Sequence, residues 1–470
     1  MDELHQVLMG ELHALDNTLA GSAAVRIDNE RLVVSPLPAE DTDPSIERLR
    51  QRIRSLLPEM ELVDVLVEVN SWCGFLDDLV HVAHGTESRS ASHTSRLLAA
   101  LVANGCNFGH ATMARIAGFS PDELAWTHDW YLRTDTLRAA NARIVDYQVQ
   151  QPITRAWGSG TLSSSDGQRF PMTANRPRAR AMRKYFTGSG ATIYTWTSDR
   201  HAQYGTRIIP TTVREATYVL DAIFDNETSL TIEEHTTDTA GYTDLIFGLF
   251  DLTGLRFSPR IRDLADQRLW RLPTTPTSQP SARLLRHRIN PQKFTDHWDT
   301  MLRVAATIRH GHLPASLLVS RLQASARQNQ LTRAIQEYGR IIKTISLLRY
   351  LHDEGHRRRI HTQLNKGETL HALRRQLFFA NQGQLRRKRS EDQDLQGECL
   401  TLLTNAIITW NTIYTAAAAQ HLTETGTDIA DHQLAHLSPA IHEHINFYGK
   451  YDFTNPIPPP AGQLRPLRTL

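Results

Sequence analysis

Three runs of Ser, Thr and β-forming residues decide the fold: GTLSSSDGQRFPM (160–172), ATIYTWTSD (191–199) and QYGTRIIP (203–210). Gly-containing turns separate the runs, so they predict three consecutive strands joined as an antiparallel meander. Alternating helical and strand patterns follow them. These patterns predict a helix over 212–224, a strand over 229–238, a helix over 242–254 and a strand over 255–261.

The resulting order, βββαβαβ, predicts a ribonuclease-H-like α/β core, in which the first and fourth strands are neighbours. Helical patterns surround this core on both sides. The predicted organisation is an acidic N-terminal segment (1–44), a helical domain (45–150), the first part of the core (151–265), an all-helical insertion (266–355), a helix that completes the core (356–390) and a C-terminal helical region with an extended tail (391–470).

Charge is uneven along the chain although the formal net charge is only +2. Residues 1–90 hold 17 acidic against 7 basic side chains, whereas basic residues cluster at 154–214, 255–310 and 352–390. Only 6 of the 52 basic residues are lysines, and arginine binds phosphate in a bidentate manner. The pattern therefore predicts a polyanionic partner.

Other classes of protein are excluded by simple features. Cys73, Cys106 and Cys399 lie too far apart for a CxxC zinc module or a disulfide framework. No apolar run reaches the roughly 20 residues of a membrane helix, and the acidic start MDELHQVLMGELHALD is unlike a signal peptide. ATP-binding and zinc-protease motifs are absent from the sequence. We therefore expect a soluble cytoplasmic protein with no membrane partner.

Three acidic residues are the candidate catalytic and metal-binding groups. Asp166 lies within the first predicted strand, Asp238 ends the fourth, and Glu368 lies in the first turn of a helix predicted from GETLHALRRQLFFANQG (367–383). Neighbouring carboxylates raise one another's pKa, and Mg²⁺, which prefers oxygen ligands, relieves that repulsion. Two such ions can support an in-line phosphoryl displacement.

Each acid also has an ordinary structural interpretation. The pair Asp166-Gly167 is typical of a turn, Asp221 and Asp244 are rivals of Asp238 that are expected to face solvent, and Glu368 could merely complement a helix dipole. The segment MARIAGFSPDELAWTHDWYL (113–132) similarly resembles half of a helix-turn-helix, although bundle packing is the simpler interpretation. The prediction of a catalytic centre therefore depends on the three acids together.

Four segments closely resemble the catalytic region of Tn-three family (class II, replicative) transposases. They are SSSDGQRFPM (163–172), residues 233–264, LNKGETLHALRR (364–375) and LSPAIHEHINFYGKYDF (437–453). The resemblance implies a DDE triad at Asp166, Asp238 and Glu368, two Mg²⁺ ions that Mn²⁺ can replace, nicking at the terminal inverted repeats, and transfer of the 3′-hydroxyls into target DNA. It also implies a homodimer on DNA in the nucleoid of a bacterial cell.

Several supporting residues are predicted with these acids. Arg256, Arg260 and Arg262 are expected to alternate along the fifth strand and face DNA, Lys366 and Arg375 to contact phosphates, and His235 to orient a metal ligand. Family members carry a long N-terminal region for end recognition, and this chain begins close to the catalytic part. Two alternatives remain: a truncated, non-catalytic DNA-binding or dimerisation fragment that modulates full-length transposase, and a metal nuclease without strand transfer.

Overall fold

The computed structural model describes most of the chain. The described residues are 1–21, 25–28, 31–38, 43–85, 90–173, 176, 178–181, 188–239, 241–276, 278–324, 329–454 and 458–469. Residues 22–24, 29–30 and 39–42 of the predicted acidic N-terminal segment (1–44) lie outside the described residues.

The N-terminal segment packs on the helical insertion. Helix α1 (Asp2–Gly21) is followed by the hairpin β1 (Val25–Asp28) and β2 (Arg31–Val34). Leu8, Leu12 and Leu15, one face of α1, are fully buried as their helical spacing requires.

A helical layer follows. Its elements are α2 (Pro44–Leu56), the short strand β3 (Met60–Glu61), α3 (Leu62–Cys73), α4 (Ala91–Gly105), α5 (His110–Ala117), α6 (Pro121–Tyr131), α7 (Thr134–Val149) and α8 (Thr154–Trp157). Helix α6 begins with a capping box: Glu123 N donates to Ser120 Oγ at 3.1 Å and Ser120 N donates to Glu123 Oε2 at 2.9 Å, with Pro121 in the first turn.

The central sheet is mixed, which confirms the α/β class. Its strands are β4 (Leu162–Met172), β5 (Arg180–Ala181), β6 (Ser189–Ser198), β7 (Gln203–Pro210), β8 (Glu234–Thr237) and β9 (Arg256–Phe257). In the chain, helix α9 (Asp221–Phe224) lies between β7 and β8, and α10 (Asp244–Leu252) lies between β8 and β9. Strand β6 pairs antiparallel with β4, β5 and β7, whereas β4–β8 and β8–β9 are parallel. The first and fourth predicted strands are therefore neighbours, as expected.

Two predicted elements are shorter in the structure. The helix predicted over 212–224 is broken into a 3₁₀ turn (Glu215–Thr217) and α9, because Asp221 is buried and bonds Arg207 instead of facing solvent. Asp244 is also paired, at 3.5 Å from Arg340 and 3.6 Å from Lys343. The fifth strand is only Arg256–Phe257, so residues 258–262 do not alternate along a strand.

The insertion contains β10 (Trp270–Arg271), β11 (His287–Arg288), α11 (Gln292–Thr295), α12 (Trp298–Arg309), α13 (Ala315–Ala324) and α14 (Gln330–His352). Helix α14 crosses α10 at very short range. A Cβ on Gly339 would lie 1.7 Å from the carbonyl oxygen of Asp244, so only glycine permits this crossing.

Helix α15 (Glu354–Leu377) follows α14 directly. Asp353 ends α14, and its side chain accepts a hydrogen bond from His356 N, 2.8 Å away, to cap α15. Then come α16 (Ser390–Glu424), α17 (Asp431–Ala435) and β12 (Ile445–Asn446), which pairs with β3. Helix α16 is buried on nearly all sides. Among the described residues, no helix combines the length and apolarity needed to cross a membrane.

Candidate active site

The two faces of β4 have different roles. On one face, Ser163 Oγ and Ser165 Oγ lie 2.7 and 2.8 Å from the two ring nitrogens of His235. On the other face, Ser164 Oγ accepts a hydrogen bond from Gln363 Nε2 of α15 at 3.1 Å. Successive side chains of a strand alternate between faces, so Asp166 shares the α15 side with Ser164.

The register of the parallel pair brings the two predicted aspartates together. Ser165 of β4 is opposite Thr237 of β8, so Asp166 and Asp238 occupy the next position on each chain. Strand β4 continues through Gly167, which pairs with Tyr194 in the middle of the β4–β6 pairing. The turn interpretation of Asp166-Gly167 is therefore wrong.

Helix α15 supplies the third acid. Gln363 Nε2 also donates to the carbonyl of Thr197 at 3.0 Å, and a Cβ on Gly367 would lie 4.0 Å from Ser164 Oγ, so this turn of the helix packs closely on β4. Glu368 follows and is exposed. A cavity of about 50 Å³ is lined by Asp166, Asp238, Arg260, His361, Leu364, Asn365 and Glu368.

The electrostatics of this cavity favour a cation. Burial, followed by the negative charge of Glu215 and that of Asp238, raises the pKa of Asp166 to about 7, although Gly167 N donates to its Oδ1 at 2.7 Å. The lining includes three carboxylates and the Asn365 amide, and their oxygens are ligands that Mg²⁺ prefers. Within the described residues, however, no three acidic, His or Cys side chains already surround a common point closely enough to hold a metal.

Two residues beside Asp166 were missed by the sequence reasoning. Glu215 lies on the 3₁₀ turn, where its Oε1 would be 2.5 Å from a Cβ on Gly167, and burial raises its own pKa. His371 Nδ1 lies 3.7 Å from Asp166 Oδ2, and burial, then Arg374 and Arg375, lower the pKa of His371 to about 3. Only His371 had a sequence signal: it follows Gly367 by four residues, on the helix face that meets the sheet.

The three predicted arginines have different positions. Arg260 lines the cavity, and its backbone N donates to Thr237 O at 2.8 Å. Arg256 is exposed and lies 3.5 Å from Glu234 Oε2. Arg262 is exposed but is not among the cavity residues. Because β9 ends at Phe257, the three do not form the alternating stripe that was expected.

Lys366 was predicted to contact a phosphate, but in the structure its ammonium binds two backbone carbonyls. Its Nζ donates to the carbonyls of Trp157 at 2.8 Å and Asp199 at 2.6 Å. Burial, opposed by the charge of Asp199, lowers the pKa of Lys366 to about 8. The ammonium thus anchors α15 to the end of α8 and to the turn that follows β6. Arg375 is exposed two turns beyond Glu368.

His235 does not face the aspartates. It is fully buried on the opposite side of the sheet from Asp166, and burial lowers the pKa of its ring to about 3. The neutral ring joins β4 to β8, the two strands from which Asp166 and Asp238 project. His235 is therefore a clamp that holds the two strands together, and it lies on the wrong side of the sheet to orient Asp166 as a metal ligand.

The known proteins that this chain resembles are transposases. The family described as Tn3 transposase DDE domain matches residues 64–451. The chain is 38% identical to the transposase for transposon gamma-delta of Escherichia coli (strain K12), over 95% of this chain and 45% of that protein. It is 37% identical to the transposase for transposon Tn501 of Pseudomonas aeruginosa, over 98% and 48%. The chain therefore spans about half the length of these relatives.

Proposed function

Since this chain belongs to the Tn3 family of transposases, we propose that it carries out the metal-dependent phosphoryl-transfer steps of DNA transposition. The steps are nicking of DNA at transposon ends and joining of the freed 3′-hydroxyls to target DNA. The observation that supports this function is the convergence of Asp166, Asp238 and Glu368 on one cavity beside Arg260. The partners in this proposal are terminal inverted repeats, target DNA and a second copy of the chain.

The core is proposed to be ribonuclease-H-like. Support comes from the order of the sheet, in which an antiparallel meander of β4, β6 and β7 is extended on the β4 side by the parallel strands β8 and β9. The parallel pair ends where the two aspartates begin. Ligands of open α/β sheets bind at the carboxyl ends of strands, which agrees with the position of the cavity.

Asp166, Asp238 and Glu368 would hold Mg²⁺, proposed as two ions that Mn²⁺ can replace. Bound divalent cations polarise the phosphoryl oxygens and stabilise charge on the attacking and leaving oxygens. The fit rests on the oxygen-rich lining and on the pKa of Asp166, which is raised by burial first and then by the negative charges of Glu215 and Asp238.

The protein's own residues position the DNA. Arg260, at the cavity, is proposed to bind the phosphate beside the scissile bond through its guanidinium. Arg256, Arg262 and Arg375 are exposed and can bind phosphates further along the strand. His371 is neutral, and packs between Asp166 and Thr195, whose Oγ1 lies 3.4 Å from His371 Nε2. It would therefore keep Asp166 oriented without adding charge.

The decisive experiment is a nicking and joining assay with Mg²⁺ on DNA that carries candidate transposon ends. Asp166→Asn removes one proposed ligand without changing its shape, and Glu391→Gln, an exposed acid at the start of α16, is the matched control. We expect loss of at least 100-fold in both steps for Asp166→Asn and none for the control. Equal activity in both variants would refute the assignment.

The same assay separates the two alternatives. A nuclease would cut in an Asp166-dependent manner but would never join strands. A non-catalytic fragment would bind DNA, with affinity that falls steeply with salt, and would neither cut nor join. The bacterial sources of the relatives support a place of action in the bacterial cytoplasm, on nucleoid DNA.

A further inference from the structure

The outer face of α6 carries an acidic and aromatic stripe. Asp122, Trp126, Asp129 and Trp130 follow one another at helical spacing and are all exposed, Trp126 at 45% and Trp130 at 38%. Within the part of the chain that the structure describes, neither Asp122 nor Asp129 forms an ion pair. Two such large indole surfaces on one helix are unusual for a face that meets only water.

The indoles are held in place from behind. The ring of His81 stacks on Trp130 with centroids 5.0 Å apart and an interplanar angle of 5°. Trp126 packs edge-on against Tyr131 at 5.6 Å, and Val82 N donates to Trp130 O at 3.1 Å. A surface that is already ordered loses little side-chain entropy when a partner binds, so the stripe is well suited to docking.

The charges of the stripe argue against a nucleic-acid partner. Helices α5 and α6 do meet at Gly118, which has φ +73°, in the manner of a helix-turn-helix. The face that would enter a DNA groove nevertheless presents Asp122, Asp129 and Glu123, and phosphates would be repelled by them. Indole faces flanked by carboxylates instead suit a guanidinium or ammonium group.

A matching basic surface exists on the same molecule. Between α15 and α16, Arg386, Lys388 and Arg389 are exposed, and Lys388 and Arg389 form no ion pair with any described residue. The segment is fixed to the helical layer, because Arg387 Nη2 donates to Asn104 Oδ1 at 2.7 Å. Asn104 Nδ2 in turn lies 3.3 Å from His128 Nδ1, on the buried side of α6.

We propose that the α6 stripe docks onto the Arg386–Arg389 segment of a second copy of this chain. Because stripe and segment lie on either side of one buried cluster, a two-fold arrangement lets each copy give its stripe and receive the other's. Trp126 and Trp130 would then be the central anchors, since tryptophan and arginine dominate the energetics of interfaces. This contact would form the homodimer of the proposed function. The role of that dimer in transposition rests on the proposed function itself.

Reversal of charge tests the contact without DNA or metal. One variant carries Asp122→Lys and Asp129→Lys, and the other carries Arg386→Glu, Lys388→Glu and Arg389→Glu. A dimer of either variant alone would place like charges opposite one another in both halves of the two-fold contact. A heterodimer of the two variants would restore opposite charges in both halves. We expect sedimentation velocity to give a dimer for the unaltered chain, monomers for each variant alone and a heterodimer for the mixture.

Two further measurements keep the result clear. Trp126→Ser with Trp130→Ser should weaken dimerisation at least 30-fold, whereas Tyr448→Ser, which removes an exposed ring elsewhere, should not. Circular dichroism confirms that every variant folds. A monomeric unaltered chain, or no heterodimer in the mixture, overturns the proposal. So does loss of DNA affinity with unchanged mass in the tryptophan variant, which would make the stripe a nucleic-acid surface. The outcome is independent of the nicking assay.

Discussion

Replacing Asp166 with asparagine is expected to stabilise the metal-free protein by an amount that grows with pH. Burial, then Glu215 and Asp238, raise the pKa of Asp166 from 3.8 to about 7 in the folded chain. Between these two values the folded chain keeps a proton that the unfolded chain releases, so the free energy of unfolding falls as the pH rises. Below both values there is no difference, and above about 7 the loss is complete. Asparagine does not titrate and escapes the loss.

The magnitude follows from the size of the shift and the exposure of the carboxyl group. A pKa raised from 3.8 to about 7 would correspond to about 4 kcal/mol without solvent screening. The Asp166 side chain retains 35% exposure, so water at the cavity mouth screens much of the repulsion. We therefore expect the asparagine variant to be more stable by roughly 1–2 kcal/mol at pH 8 and by about zero near pH 4.

Urea unfolding followed by circular dichroism, with EDTA present, at pH 4, 6 and 8 measures this difference. Glu391→Gln is the control and should give a difference that does not change with pH. If Asp166 holds Mg²⁺ as proposed, adding the ion at pH 8 should narrow the gap, because the ion would bind the unaltered folded chain more tightly than the variant. A stability gain that is the same at pH 4 and pH 8, or a variant that is less stable at pH 8, would refute the electrostatic reasoning.

Three other substitutions, the first with a matched control, have defined outcomes. Gly339→Ala should lower the free energy of unfolding by at least about 1–3 kcal/mol, because its Cβ would overlap the Asp244 carbonyl; Gly10→Ala, with open space around it in α1, should instead stabilise by up to about 1 kcal/mol. Lys366→Met should cost about 2–4 kcal/mol in urea unfolding, since two buried carbonyls lose a charged donor; an unchanged midpoint would contradict the anchoring role. Gly167→Ala should displace Glu215 and thereby lower the pKa of Asp166, measured by NMR titration; a pKa that stays near 7 would show that Glu215 is not the main charged neighbour.

The parts of the fold that the sequence predicted are those governed by local pattern. The meander and the neighbouring first and fourth strands follow from alternation and turn residues, which act over a few residues. The neighbouring positions of Asp166 and Asp238 were also predictable, because β4 and β8 are paired strands. Glu368, on α15 beyond the insertion, lines the same cavity.

What the sequence missed depends on contacts between distant segments. The segment 212–224 has a good helical pattern, but its helix is broken because Asp221 is drawn inward to Arg207 and to the backbone N of Ser316, which donates to Asp221 Oδ1 at 2.7 Å. Glu215 becomes a neighbour of Asp166 only through that break. Lys366 is a charge on a helix in sequence, and only the tertiary positions of Trp157 and Asp199 make it an internal donor.

The clamp made by His235 bears on how reliably the chain folds. Small hydroxyl-bearing residues, which specify the alignment of a strand pair only weakly, form much of the contact between β4 and β8. A shift by one residue would turn Asp166 to the wrong side of the sheet, and a shift by two would leave a buried ring nitrogen without its serine, at a cost of about 1–3 kcal/mol. The two hydrogen bonds of the imidazole therefore favour the alignment that places Asp166 beside Asp238, and molecules with a shifted alignment would be less stable.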